Sequence, residues 1–151
     1  MTIAPIVQTV QVKAPPARAF ALFTGEIGRW WKKGIGVQPF IDVVMEPHPG
    51  GRWFERSADG VETDWGRVLA WEPPGRLLLA WHLNASFAFD PDVFTEVEIA
   101  FQPVEAGMTN VTLEHRNLER FGNDAERIGG LLRNGWPGML DGYMQHVAKT
   151  Y

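Results

Sequence analysis

The chain has 151 residues, no cysteine and a formal charge of -4, with 45% apolar and 21% charged residues. These values predict one domain over residues 1–151, large enough for its own core. They exclude disulfides, thiolate nucleophiles and cysteine metal sites, and they argue against nucleic acid and anionic membrane surfaces, both of which reward basic patches.

Met1 to Gln11 has neither the basic start nor the apolar core of a signal peptide. No run approaches the about 20 apolar residues of a membrane span. The expected location is the cytoplasm, which the lack of cysteine fits. Seven tryptophans and nine phenylalanines are a heavy aromatic load for this length. Such rings fill cores, and they also line ligand pockets.

Ile6 to Val12 alternates apolar and polar residues and predicts a first strand. Ala14-Pro15-Pro16 stops it, and a proline-started helix follows over Ala17 to Phe23. Thr24-Gly25 closes that helix. Glu26 to Trp31 predicts a second short helical turn, left through Lys32-Lys33-Gly34. Adjacent residues on a helix cannot both face one core, so Trp30 and Trp31 are expected to divide, one buried and one at a cavity mouth or an interface.

Phe40 to Glu46 predicts a strand, and His48-Pro49-Gly50-Gly51 a turn. Arg52 to Arg56 and Thr63 to Trp71 predict a hairpin with Asp59-Gly60 at its tip. After the break at Glu72-Pro73-Pro74-Gly75, Arg76 to Leu83 predicts another strand, and Asn84 to Asp92 a longer loop. Val93 to Gln102 alternates cleanly, Val97, Ile99 and Phe101 against Glu96, Glu98 and Gln102. Glu105-Ala106-Gly107 turns the chain into Thr109 to Arg116, where Val111, Leu113 and His115 share a face.

The last quarter changes period. Ile128, Leu132, Trp136, Met139, Leu140, Tyr143 and Val147 recur every three or four residues, on one face of a helix. Five glycines and Pro137 oppose that helix. The segment is either one helix kinked near Leu132 to Arg133 or two pieces, Asn123 to Asn134 and Pro137 to Thr150. An apolar helix after antiparallel strands belongs across the sheet face, and a curved sheet gripping one helix can leave a hollow.

Several features, in order, carry a family resemblance: Trp30-Trp31; Gly50-Gly51-Arg52-Trp53; Asp59-Gly60; Gly66-Arg67-Val68; Pro73-Pro74-Gly75-Arg76-Leu77 running to Trp81; and Gly135-Trp136 with Leu140. Together they resemble the START-like, Bet v 1-like helix-grip superfamily (SRPBCC). Within it they are similar to domains like the C-terminal half of the Hsp90 ATPase activator. The resemblance implies an α+β fold. A curved antiparallel sheet of six to seven strands would wrap around a long C-terminal helix, with two short helices after the first strand and a cavity between sheet and helix. It further implies small apolar ligands in many members and co-chaperone activity in a few.

His115 admits two readings. It is either a polar group aimed into the cavity, able to orient a ligand or titrate near neutral pH, or a core histidine bonded to backbone. His82, His115 and His146 show no zinc-like spacing, and neither a metal nor a cofactor is expected. Glu96 and Glu98 face away from the apolar side and read as solvated. Arg67 is ambiguous, because either Trp65, Arg67, Leu69 and Trp71 or Gly66, Val68 and Ala70 form the inward set. No Ser–His–Asp grouping is suggested, and Gly50-Gly51 is no phosphate loop.

The first functional expectation is a non-enzymatic module holding a small apolar molecule, lined by Trp30, Trp31, Trp65, Trp81, Val97, Ile99, Leu113, His115, Trp136, Leu140 and Tyr143. The second is a stress-related, co-chaperone-like module acting on a chaperone or other protein. The third is a cyclase- or hydrolase-type enzyme using His115 and Tyr143. Either a monomer or a homodimer is compatible with the sequence.

Overall fold

The computed structural model describes residues 3–31 and 40–150. The predicted exit of the second helix through Lys32-Lys33-Gly34 lies outside the described residues. The elements run β1 (Ile6–Val12), α1 (Pro16–Gly25), α2 (Ile27–Trp30), β2 (Phe40–Met45), β3 (Arg52–Ser57), β4 (Glu62–Glu72), β5 (Arg76–Trp81), β6 (Thr95–Glu105), β7 (Met108–Arg116), a 3-10 segment (Leu118–Asp124) and α3 (Ala125–Thr150). The seven described strands form one curled antiparallel sheet in the order β1-β7-β6-β5-β4-β3-β2. This is the expected α+β helix-grip fold.

Alternation explains the inner face. Thr95, Val97, Ile99 and Phe101 on β6 and Thr109, Val111, Leu113 and His115 on β7 are buried, and the residues between them are more exposed. Ile99 pairs with Leu113 and Phe101 with Val111, so apolar side chains meet across the strands. The outer face carries ion pairs. Arg116 bridges Glu96 at 3.0 Å and Glu98 at 2.8 Å, and Arg76 joins Glu98 and Glu72. Glu96 and Glu98 are therefore paired, where the sequence suggested free solvation. Hydrogen bonds from Arg76 and Arg116 hold the Glu98 carboxyl below the usual carboxylate range.

Simple parity fails on β4. Opposite β3 the register slips so that Gly66 faces Trp53 and Asp64 faces Phe54, leaving Trp65 as the extra residue. Opposite β5 it slips again past Leu69. Two bulges thus put Trp65, Gly66 and Val68 inside and leave Leu69 exposed. Neither inward set read from the sequence survives intact. Arg67 points to the outer side, with Asp64 at 3.5 Å and the Phe89 ring beneath its guanidinium. Gly66 is obligatory: a Cβ there would lie 1.9 Å from the carbonyl oxygen of Ala80.

The C-terminal segment is one helix, α3, through Pro137. Pro137 and Arg133 are exposed, so the carbonyl of Arg133 that loses its donor lies on the solvent side of the helix. The predicted start at Asn123 moves to Ala125: Asn123 and Asp124 belong to the 3-10 segment, whose own run is broken at Gly122 with φ 66°. Ile128, Leu132, Trp136, Leu140, Tyr143 and Val147 are buried against the sheet, and Met139 is half-buried.

Candidate functional site

Between the sheet and the N-terminal half of α3 lies a pocket of about 500 Å³. From α3 it takes Leu131, Leu132, Gly135, Trp136 and Met139. From the strands it takes Trp65 on β4 and Trp81 at the end of β5. The loop after β5 adds Leu83, Ser86 and Phe87, and Trp31 closes it behind α2. Leu131 is 51% exposed, so the mouth opens at the surface beside it.

Trp30 and Trp31 do not divide by exposure as predicted, since both are buried, at 3% and 8% exposure, although only Trp31 lines the pocket. The reason is local. Trp31 is the C-cap of α2, in extended conformation at φ -74° and ψ 134°, so its side chain leaves the helical surface and turns inward. Six of the seven tryptophans then form one continuous ring cluster: Trp30, Trp31, Trp53, Trp65, Trp81 and Trp136 are linked by centroid separations of 5.1–5.9 Å. Tilted and edge-on geometry dominates, as the ring quadrupoles prefer.

Two of the indole donors at the pocket are taken by the protein. Trp65 donates to Glu55 Oε1 at 2.9 Å, and Trp136 donates to His115 Nδ1 at 3.1 Å. The described lining is mainly aromatic and aliphatic carbon with the Ser86 hydroxyl, and it includes no ionisable side chain.

His115 is fully buried, with its other nitrogen, Nε2, 2.7 Å from Thr95 Oγ1. An indole N–H can only donate, so Nδ1 must be the unprotonated nitrogen. The neutral imidazole then carries its proton on Nε2 and donates it to Thr95. Burial pushes the pKa of His115 down to about 3. Of the two readings of His115, the geometry fits the core histidine and not a cavity group titrating near neutral pH. His115 is a core histidine, and its partners are side chains where backbone was expected.

The other sequence candidates separate by position. Trp31, Trp65, Trp81 and Trp136 line the pocket. Val97, Ile99 and Leu113 are fully buried on the inner sheet face, and Leu140 is buried on α3. Tyr143 packs on Phe23 and Trp30 and donates to the carbonyl of Ala19 at 2.7 Å. Burial raises its phenol pKa. His115 and Tyr143 therefore belong to different neighbourhoods, each engaged by protein groups, and do not form the acid–base pair considered from sequence. The sequence reading missed Leu83, at the end of a predicted strand, Ser86 and Phe87, in a segment read as loop, and Leu131, Leu132, Gly135 and Met139 on α3. The position of Gly135 beside Trp136 was the available signal, since a small residue on an apolar helix leaves room.

Comparison with known proteins agrees with the fold. Txn09, an anthrahydroquino-gamma-pyrone synthase, is 32% identical over 95% of this chain and 97% of that chain, with a TM-score of 0.67. CalC, a self-sacrificing resistance protein from Micromonospora echinospora, is 26% identical over 97% of this chain and 95% of its own, with a TM-score of 0.72. The Aha1 dimer from Colwellia psychrerythraea, 17% identical over 96% of each chain at a TM-score of 0.69, shares the fold. No curated protein matches the chain. The family described as Activator of Hsp90 ATPase homolog 1-like protein matches residues 13–148. With the helix-grip fold around a tryptophan-lined pocket, that match over most of its length shows that the chain belongs to the Activator of Hsp90 ATPase homolog 1-like family.

Proposed function

We propose that this chain is a binding module for a small, uncharged, flat aromatic molecule, held between the sheet and the N-terminal half of α3. One observation carries the reading: a pocket of about 500 Å³ whose described lining has four indoles and no ionisable group. That volume falls within the range of roughly 300–1,000 Å³ typical of small-molecule sites. A charged ligand would lose its hydration there without a partner, whereas an aromatic one gains burial and ring contact. General acid–base catalysis needs a titratable group within hydrogen-bond reach of the reacting atoms. The described lining supplies none, which supports binding over chemistry.

The test is native mass spectrometry of the protein purified from its own host, alongside a Gly135→Leu variant. A Cβ at Gly135 meets nothing within 4 Å, and Gly135 lines the pocket, so the variant is expected to fold and to narrow the pocket. The expected result is a stoichiometric aromatic adduct on the wild type that Gly135→Leu lacks. An adduct retained by Gly135→Leu, or absent from both, overturns the reading.

A second reading is favoured by the 32% identity to a synthase: the pocket positions a reactive aromatic precursor that rearranges inside it. Conversion of the bound adduct on incubation, lost in Gly135→Leu, puts that reading first. The co-chaperone role rests on family membership, and a stoichiometric complex with an Hsp90 on size exclusion puts that one first.

A further inference from the structure

The pocket wall has a support that the binding reading does not use. Behind Trp136 runs a buried chain of hydrogen bonds, from Trp136 Nε1 to His115 Nδ1 at 3.1 Å and from His115 Nε2 to Thr95 Oγ1 at 2.7 Å. Thr95 and His115 are fully buried, and Trp136 is 3% exposed. Every member sits on a different element: Trp136 on α3, His115 on β7 and Thr95 on β6. The imidazole also lies 5.1 Å from the Trp81 ring, which in turn lies 5.7 Å from Trp136. One histidine therefore backs two of the four indoles that line the pocket.

The chemistry makes this arrangement directional. A buried indole N–H without an acceptor is costly, so Trp136 is held to the rotamer that reaches Nδ1. That bond fixes the tautomer of His115, and the bond from Nε2 to Thr95 fixes the orientation of the imidazole ring. With both nitrogens committed, a ring flip breaks both bonds at once. An apolar side chain at position 115 would fill the same core space without the hydrogen bond that fixes the plane of Trp136.

We propose that Thr95 and His115 are positioning residues that set the indole plane of Trp136, and through ring contact that of Trp81, so that the pocket accepts flat ligands in preference to rounded ones. The proposal rests on the binding reading above. It gives a polar triad in an apolar core a role in ligand selection beyond packing.

The test compares two neutral probes, flat aminoanthracene and globular adamantanol, on the wild type and on His115→Phe, His115→Asn and Gly135→Leu. His115→Phe removes the acceptor, and His115→Asn restores one near the position of Nδ1. The expected result is that His115→Phe lowers the preference for aminoanthracene over adamantanol by about five- to tenfold, the worth of one hydrogen bond, and that His115→Asn recovers most of it. A purely structural histidine would weaken both probes together and leave the ratio unchanged, and that outcome overturns the proposal.

The two readings fail separately. If Gly135→Leu binds aminoanthracene like the wild type, the pocket reading falls and takes this proposal with it. If Gly135→Leu abolishes binding while His115→Phe keeps the wild-type ratio, only the positioning role falls. Should His115→Phe not fold, Thr95→Val gives the same readout with the imidazole left unanchored. The indole N–H resonance of Trp136 in the wild type gives a further check. Slow exchange in the probe-free protein is expected, and fast exchange overturns the proposal.

Discussion

At Tyr143, α3 is packed solidly onto its surroundings; at Gly135, two turns earlier on the same helix, it leaves a pocket. Around Tyr143 the space is filled by Phe23 from α1, whose ring lies 5.0 Å from Tyr143, 4.9 Å from Trp30 and 5.7 Å from Phe101. The Tyr143 hydroxyl is tied to the carbonyl of Ala19. Around Gly135 the rings are just as many, but they stand at the walls, and the helix contributes a residue with no side chain. The two regions have similar aromatic content and opposite outcomes. What separates them is whether α1 and α3 supply a large side chain to the gap. A filled region secures the fold, and an unfilled one is available for a ligand.

The largest expected effect breaks the filled side. Tyr143→Ala removes a fully buried ring and its hydrogen bond, and should lower stability by about 3–5 kcal/mol in denaturant titrations. A loss as small as that from Met139→Ala, on the half-buried pocket rim, would mean that the two regions are packed alike. Gly66→Ala tests the bulged strand between them. Its Cβ would collide with the Ala80 carbonyl, and forced backbone shifts should cost roughly 3 kcal/mol, with little change from Gly75→Ala, where a Cβ meets nothing.

A smaller effect comes from the buried imidazole behind the pocket. The ordinary histidine pKa of 6.5 falls to about 3 in the folded protein. Below pH 6.5 the unfolded chain takes up the proton before the folded one does, so the contribution of His115 is fully present above that value. It is lost as pH falls, at no more than ~1.4 kcal/mol per pH unit. Thermal unfolding between pH 6.5 and 5 should show this slope and His115→Asn should flatten it, since paired carboxylates such as Glu98 act at lower pH. An identical slope in the variant would show that His115 is charged in the fold. The smallest effect has the opposite sign. Gly135→Ala adds helix propensity in open space and should stabilise the protein by ~1 kcal/mol, while narrowing the pocket. Loss of stability would mean that the hollow side is tightly packed after all.

How much of this was legible varied with the kind of signal. The strands and α3 announced themselves through their periods, because one face of each is wet and the other dry, as on β6 and β7. On β4 the same logic failed, since two bulges shift the register within one strand and a bulge has no period of its own. Trp31 was misjudged for a similar reason: one residue past the end of α2, the rule that adjacent helical side chains diverge no longer holds. Four of the predicted pocket residues, Trp31, Trp65, Trp81 and Trp136, do meet around one space. Val97, Ile99, Leu113, Leu140 and Tyr143 share the same apolar faces yet lie in the packed core, and a pattern of faces cannot distinguish wall from filling.

The sequence by itself determined the order of the elements, the antiparallel succession, the apolar face of α3 and the lack of any cysteine chemistry. These follow from local propensity and from the need of each element to bury one side. Only the tertiary structure decided that Phe23 plugs one end of the sheet–helix gap while Gly135 leaves the other open. It also decided that His115 turns both nitrogens to Thr95 and Trp136 and none to a ligand. Those outcomes depend on which side chains of distant segments arrive at the same place, and on whether their volumes and hydrogen-bonding groups match when they do.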